Sequence, residues 1–381
     1  MPGSDPAIQP FADLPFAWGR PAAQGLLKRD CSDFQVDEIS GFTPTGQGDH
    51  LCLQLRKTGL TTTELATHIA RRFAVDPADV GYAGMKDKRA VTTQWFSVKK
   101  PARRELHPEH LEDGAVQVLA ATDNSRKIHI GSHRGNRFRI RLHEVVGDRQ
   151  SLEQRLATVA ERGVPNYYGA QRFGSDMGNV HEALRLFGAM SAGGARPSQR
   201  SSVQTRMAVS AARAYLFNQI LALRISGHTW ASRLAGEVFA LDGTARCFVP
   251  DPDSGTDELD RRLAILDIHP TGLLDGRVDP RARYAAADQV LVLEAGVMQR
   301  HGVLHEGLLA MGLDASRRAL RLAVRELHFF WPQADTIELS FELAAGGYAT
   351  SVLRELCATA VPAGNPVDGA VQGDDDESTE Q

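Results

Sequence analysis

The chain has 381 residues, 42% of them hydrophobic and 24% charged, with a formal net charge of −4 and four cysteines. That is the make-up of a soluble globular protein long enough for two domains. No apolar run nears the roughly 18 residues that a membrane-spanning helix requires, and no secretory leader is expected, since the start MPGSDPAIQPFADLPFAWGR has no charged-then-apolar order.

Residues 1–20 are rich in Pro, Gly and Ala and predict a partly ordered lead-in. Asp33 to Ile39 alternates apolar and polar residues and predicts a strand, as does Leu51 to Leu55. Thr61 to Thr63 cap a helix that runs to Phe73, with Leu65, Ile69 and Phe73 on one face, and Asp76-Pro77 ends it. Val91 to Val98 is β-rich. The clearest strand is Asn136 to Val145, where Phe138, Ile140 and Leu142 point one way and Arg137, Arg139 and Arg141 the other. Gly163 to Gly174 reads as a tight turn between domains. Residues 205–235 and 286–328 have helical spacing, and 240–285 is loop-rich. A late strand alternates Ile337, Leu339, Phe341 and Leu343 with polar residues, then gives way to Gly346-Gly347-Tyr348 and a helix carrying Val352, Leu353 and Leu356. A helical block enclosed by β segments predicts an inserted domain.

Charge is unevenly placed. The last nine residues, GDDDESTEQ, hold five acids and no base, so the remainder carries about +1 by −4 + 5. That end, from 361 to 381, reads as a disordered acidic tail. Between Arg126 and Arg141 stand six Lys or Arg and no acid. Such a stripe is a footprint for phosphate contact or a solvated strand face, and the sequence leaves both open.

The chemistry-bearing segment is Gly81-Tyr82-Ala83-Gly84-Met85-Lys86-Asp87-Lys88-Arg89-Ala90. It offers one carboxylate, Asp87, between the cations Lys86 and Lys88, which favour its ionised form. Gly81 and Gly84 are expected to permit turn conformations and a close ligand approach. A solvated surface pair remains the plainer reading of the run taken alone. There is no phosphate-binding G-x-x-x-x-G-K-[ST] loop and no G-x-G-x-x-G fingerprint. The four cysteines lie far apart, which fits reduced thiols in a cytoplasm, and His129 and His133 have no further ligands near them, so no metal site is expected.

Five stretches together, GYAGMKDKRAVTTQWFS (81–97), GNRFRIRLHEV (135–145), GVPNYYGAQRFG (163–174), SAARAYLFNQI (210–220) and AAGGYATSVLREL (344–356), closely resemble the TruD family of tRNA pseudouridine synthases in order and spacing. DFQVDEISGFTPTGQGDHL (33–51) fits as well, and the likeness runs from about 25 to 357. The resemblance implies an α+β pseudouridine synthase catalytic domain, residues 20–162 and 323–360, around a mostly antiparallel sheet. It implies an inserted α/β domain at 163–322. It implies isomerisation of uridine 13 in the D-stem of tRNA after the base is flipped out, with no metal, redox or nucleotide cofactor and no membrane. The expected enzyme is a cytoplasmic monomer whose partner is tRNA.

By the same resemblance the catalytic aspartate is Asp87, as nucleophile or as proton acceptor. Asn136 matches the family's active-site amide, and Phe34, Phe138 and Tyr348 match its aromatics, although the family often has Phe at the position of Tyr348. Lys86 and Lys88 are expected beside the substrate, and Arg134, Arg137, Arg139 and Arg172 along the RNA backbone. Read without the resemblance, Phe34 and Phe138 are first of all core residues on apolar strand faces, and Asn136 is a turn residue opening a strand.

Overall fold

Residues that alternate apolar and polar bury one face of a strand, and the long stretches of that kind here become long strands. In the computed structural model, residues 7–102, 104–197, 202–251, 255–278 and 284–361 are described. The chain begins with strands β1 (Gln24–Leu27), β2 (Phe34–Ser40) and β3 (His50–Thr58) and helix α1 (Thr62–Phe73). Strands β4 (Val80–Tyr82), β5 (Val91–Lys99), β6 (Val116–Asn124) and β7 (His133–Val146) follow, then helix α2 (Arg149–Arg162). Next come β8 (Val164–Pro165), α3 (Gly178–Ser191), α4 (Val203–Ser226), β9 (Phe239–Leu241), β10 (Cys247–Phe248), α5 (Thr256–Ala264) and β11 (Ile268–Leu274). The chain closes with α6 (Asp288–Arg300), α7 (Gly302–Met311), β12 (Ser316–Ala319), β13 (Arg321–Leu322), β14 (Arg325–Gln333), β15 (Thr336–Ala344), α8 (Ala349–Leu356) and β16 (Ala358–Ala360).

The chain divides into two compact units. One holds 22–156, 324–349 and the residues from 356 on, and the other holds the residues up to 21, 157–323 and 350–355. The first is built on a ten-stranded sheet with the path β14-β15-β7-β2-β5-β3-β6, to which β1, β16 and β4 add. Every pairing in it is antiparallel except β2 with β5 and β1 with β16. The fold class is α+β, with a mostly antiparallel central sheet.

Two features fix this sheet. Leu51, Leu53 and Leu55 of β3 are buried under Leu65, Ile69 and Phe73 of α1. Burial of each such side chain stabilises by roughly 1.5–3 kcal/mol. The helix starts where it does because Thr61 accepts from the Glu64 N–H while Glu64 accepts from the Thr61 N–H, a reciprocal cap worth about 1 kcal/mol. Gly135 answers a second demand, since a Cβ there would stand 2.2 Å from the Leu343 carbonyl oxygen of β15.

In the second unit α4 is the core helix, with Ala211, Ala212, Tyr215, Leu216 and Phe217 all buried. It carries the buried ion pair Arg224–Glu237, 2.8 Å. A four-stranded sheet, β10-β9-β11-β12, accompanies the helices. The lead-in belongs to this unit, and Arg354 clasps it. The guanidinium donates to the carbonyls of Leu14 and Pro15 and lies 3.7 Å from the centre of the Phe16 ring.

Several expected elements are corrected. Residues 316–328, read as helical, form β12, β13 and the start of β14, because β14 closes a hairpin with β15 and β12 pairs with β11. The loop-rich reading of 240–285 misses α5 and β11. His269-Pro270-Thr271-Gly272 is strand, and Pro270 still serves the sheet as an acceptor, taking the Leu320 N–H at 2.8 Å. Gly163 to Gly174 is no simple turn. Tyr167, Tyr168 and Phe173 are buried, and the Asn218 amide binds both the N–H and the carbonyl of Tyr168 at 3.0 Å. The acidic tail lies outside the described residues except for Val361.

Of the four cysteines, Cys52 and Cys357 are buried while Cys31 and Cys247 are half-buried. Burial pushes both sealed thiols up to about 11.

Among the described residues, no helix is long and apolar enough to cross a membrane.

Candidate active site

Strand parity places the site. On β2, Phe34, Val36 and Glu38 face one way; on β7, Asn136, Phe138, Ile140 and Leu142 face the same way. The antiparallel register sets Phe34 against Ile140, Val36 against Phe138 and Glu38 against Asn136. Phe138 packs edge-on to Phe34 at 6.2 Å and stacks on Phe341 of β15 at 5.4 Å. Both Phe34 and Phe138 are therefore core residues, as their apolar parity indicates, and they also floor one side of a polar cluster.

That cluster centres on Asp87. Its Oδ2 accepts from the Lys28 ammonium at 2.8 Å, and the side chains are only 22% and 11% exposed. The same ammonium lies 4.3 Å from the centre of the Phe34 ring, a cation–π contact. Lys28 sits just past β1 with φ of 57°, a left-handed backbone that costs a non-glycine residue on the order of 1 kcal/mol. Strain of this kind collects at functional positions.

The loop carrying Asp87 is pinned from beneath. The Lys86 N–H donates to Thr62 Oγ1 at 2.8 Å, Gln94 Nε2 donates to the Gly84 carbonyl at 3.0 Å, and Lys57 Nζ donates to the Asp87 carbonyl at 2.9 Å. Thr62, Gln94 and Lys57 are all wholly buried.

The two flanking lysines do not sit where the sequence suggested. Lys86 turns into the interior and pairs with Glu38 at 3.2 Å, with both side chains almost fully buried. Burial pushes the Lys86 pKa down, while Glu38 and, more weakly, Asp87 pull it back. Lys88 turns outward to Glu64 at 2.7 Å. Neither is the partner of the Asp87 carboxylate; Lys28, 59 positions away, takes that place. The glycines are corrected as well. Gly81 lies in strand β4, where a Cβ would come within 2.3 Å of the Ile128 carbonyl oxygen. Gly84 makes room for the His133 ring, 3.1 Å from where its Cβ would be. Neither has a positive φ.

Asn136 presents a carboxamide whose Oδ1 is buried without a hydrogen-bond partner among the described residues. An unpaired buried acceptor costs about 1–3 kcal/mol, so a donor arriving there is favoured by that amount. Tyr348 follows β15, whose Leu343 lies in register with Asn136; the turn between is set by Gly346, at φ 77°.

The basic stripe lies elsewhere. Arg137, Arg139 and Arg141 have the opposite parity to Asn136 and Phe138, so they stand on the other face of the sheet. There they meet acids of β15. Arg137 pairs with Glu342 at 2.6 Å, Arg141 with Glu338 at 2.8 Å, and Arg139 lies 3.9 Å from Glu338. The expected free row of positive charge is thus largely neutralised across the strand. Arg134 is exposed at the mouth of β7. Arg172 belongs to the second unit, where it donates to Ser210 Oγ at 2.9 Å and covers the Tyr168 ring.

Sequence reasoning missed Lys28, Glu38 and Lys57. For two of them a signal existed. Glu38 continues the apolar parity of Phe34 and Val36, and Lys57 continues that of Leu51, Leu53 and Leu55. A charge on an apolar row must be buried with a partner or a task. Lys28 gave no local signal.

The family model described as tRNA pseudouridine synthase D (TruD) matches residues 14–186 and 199–356. The chain is 43% identical over 347 residues to the "tRNA pseudouridine synthase D" of Methylococcus capsulatus, covering 91% of this chain and 94% of that protein. It is 42% identical over 352 residues to the protein of that name from Xanthomonas euvesicatoria, covering 90% and 94%. The likeness to the one from Pseudomonas putida is 40% over 351 residues, covering 92% and 96%. A crystal structure of the putative tRNA pseudouridine synthase D from Methanosarcina mazei shares the fold, with a TM-score of 0.68 at 22% identity, over 93% of this chain and 98% of that one.

Proposed function

Since the chain belongs to the tRNA pseudouridine synthase D (TruD) family, we propose that it isomerises uridine 13 in the D-stem of tRNA to pseudouridine, with Asp87 as the catalytic carboxylate. The reaction breaks the bond from ribose to the base nitrogen and remakes it to carbon 5, so every atom is kept and no metal, redox or nucleotide cofactor is called for. The same reading makes the protein a cytoplasmic monomer. It also makes residues 20–162 and 323–360 the catalytic domain and 163–322 its insertion.

The observation that carries the proposal is the convergence on one sheet face of Asp87 with its Lys28 partner, the aromatic rings of Phe34 and Phe138, and the unpaired Asn136 carboxamide. A uridine in a stem must leave the stack, at a cost of a few kcal/mol, to reach a side chain. Stacking on an aromatic and a hydrogen bond from the base edge to Asn136 Oδ1 offset that cost. Asp87 then acts on the nucleoside as nucleophile or as proton acceptor, and Lys28, freed or redirected as the base enters, holds the charge that develops. Tyr348 brings an aromatic face as phenylalanine would, plus a hydroxyl that needs a partner.

The test is chemical mapping of pseudouridine in a tRNA transcript incubated with the full chain. Product at position 13 is expected from the wild type. Asp87→Asn should lower the rate by at least about a thousandfold, as loss of a group at the reacting atoms does, while tRNA still binds. A wild type that binds tRNA without product would make the protein an RNA-binding relative, and an active Asp87→Asn would remove Asp87 from the chemistry.

A further inference from the structure

Lys57 occupies the fourth place in a row of inward-facing residues, after Leu51, Leu53 and Leu55 of β3, and its side chain is wholly buried. A fourth leucine would continue the core. An ammonium there has to be drawn out of water, and such burial is tolerated only where the charge is matched by hydrogen bonds. Two backbone carbonyls are among the matching groups. One belongs to Leu60, in the link between β3 and α1, and the other to Asp87 itself. Two other anchors hold this loop by its backbone, the Lys86 N–H on Thr62 Oγ1 and Gln94 Nε2 on the Gly84 carbonyl, and both are neutral, while the charged side chains of Lys86 and Lys88 reach Glu38 and Glu64. Lys57 is the charged anchor of the three, and it grips the peptide of the one residue whose carboxylate faces the site.

We propose that Lys57 is a positioning residue for the reaction: by binding the Asp87 carbonyl from the sheet face that also carries Phe34, Phe138 and Asn136 it fixes the direction in which the Asp87 carboxylate points. The inference rests on the reading of Asp87 given above. Its logic is geometric. Rotation about the N–Cα bond of Asp87 would turn the carbonyl and swing the side chain with it. A charge-assisted bond to a fixed ammonium resists that rotation more than a neutral bond does. Displacement of a catalytic group by about 1 Å costs on the order of a hundredfold in rate. Lys28 cannot replace this function, because it binds the carboxylate oxygen that must move during turnover, whereas Lys57 binds a backbone atom that need not.

The experiment compares wild type, Lys57→Met and Lys57→Arg as full chains. It measures single-turnover pseudouridine formation at saturating tRNA, the Kd for tRNA, and thermal melting. Lys57→Met is expected to slow the chemical step about a hundredfold while Kd stays within about threefold. Lys57→Arg, which keeps charge and donors, is expected to recover at least a tenfold part of that loss. A rate within threefold of wild type for Lys57→Met overturns the proposal, as does a loss that appears in Kd alone. A rate loss that arginine does not recover also overturns it, since that marks packing rather than positioning. If Lys57→Met fails to fold, Lys57→Gln, a neutral donor, is read by the same criteria. Product from the wild type with an unimpaired Lys57→Met sinks only this inference, whereas absence of product from the wild type removes the premise for both.

Discussion

The two faces of strand β7 carry opposite kinds of polarity. One shows Arg137, Arg139 and Arg141 to solvent, dense in charge, with Glu342 facing Arg137 and Glu338 shared by Arg139 and Arg141. The other shows few polar groups among aromatic and aliphatic ones, but Asn136 there is unsatisfied, and its register partner Glu38 is locked to the buried Lys86. The difference teaches that the number of charges along a sequence is a poor guide to where chemistry lies. Exposed ion pairs contribute about 0–1 kcal/mol each. Buried charges and orphaned amides are costly, and they persist where a fold has use for them.

The comparison breaks most sharply at Glu38. Glu38→Gln leaves the Lys86 ammonium buried without its counter-charge, and a loss of about 3–5 kcal/mol in denaturant melts is expected. The double change Glu38→Gln, Lys86→Met should return much of it, and a single variant as stable as wild type would show that the pair does not hold this region. Asn136→Ala comes next. Because its Oδ1 has no partner to lose among the described residues, stability should barely move while turnover falls roughly ten- to a hundredfold, the worth of one hydrogen bond to the base at about 1–3 kcal/mol. Equal losses in both quantities would make the residue structural. The smallest effect is expected from Arg137→Ala with Arg139→Ala. Melting should change by no more than about 1 kcal/mol, and tRNA affinity and its salt slope should stay close to wild type. A clearly flatter slope would return the stripe to the RNA interface.

Much of the sheet was legible because its strands follow the two-residue period without interruption, as β7 and β15 do. Helix α1 was legible from the Thr61–Glu64 cap and the spacing of Leu65, Ile69 and Phe73. What hid was non-local. Strand β14 is exposed along most of its length, and its row of Leu327, Phe329 and Trp331 is never fully buried; it is a strand because β15 pairs with it. At the site, Asp87 stood out from its run and from the family resemblance, and the inward-facing Phe34 and Phe138 followed parity. The identity of its ion-pair partner did not, since Lys86 and Lys88 are adjacent in sequence but are drawn away by Glu38 and Glu64. Adjacent residues on an irregular loop point in different directions, and only tertiary packing decides which of them meets the carboxylate.

The placing of the thiols has a practical side. Cys31 and Cys247 are half-buried, one in each unit, whereas Cys52 and Cys357 are sealed and hold their protons far above neutrality. Thiolate is the form that alkylating reagents attack. The unaltered protein therefore comes with one accessible handle for a dye or spin label on each unit, and no core position need be changed to watch either of them respond when RNA is added.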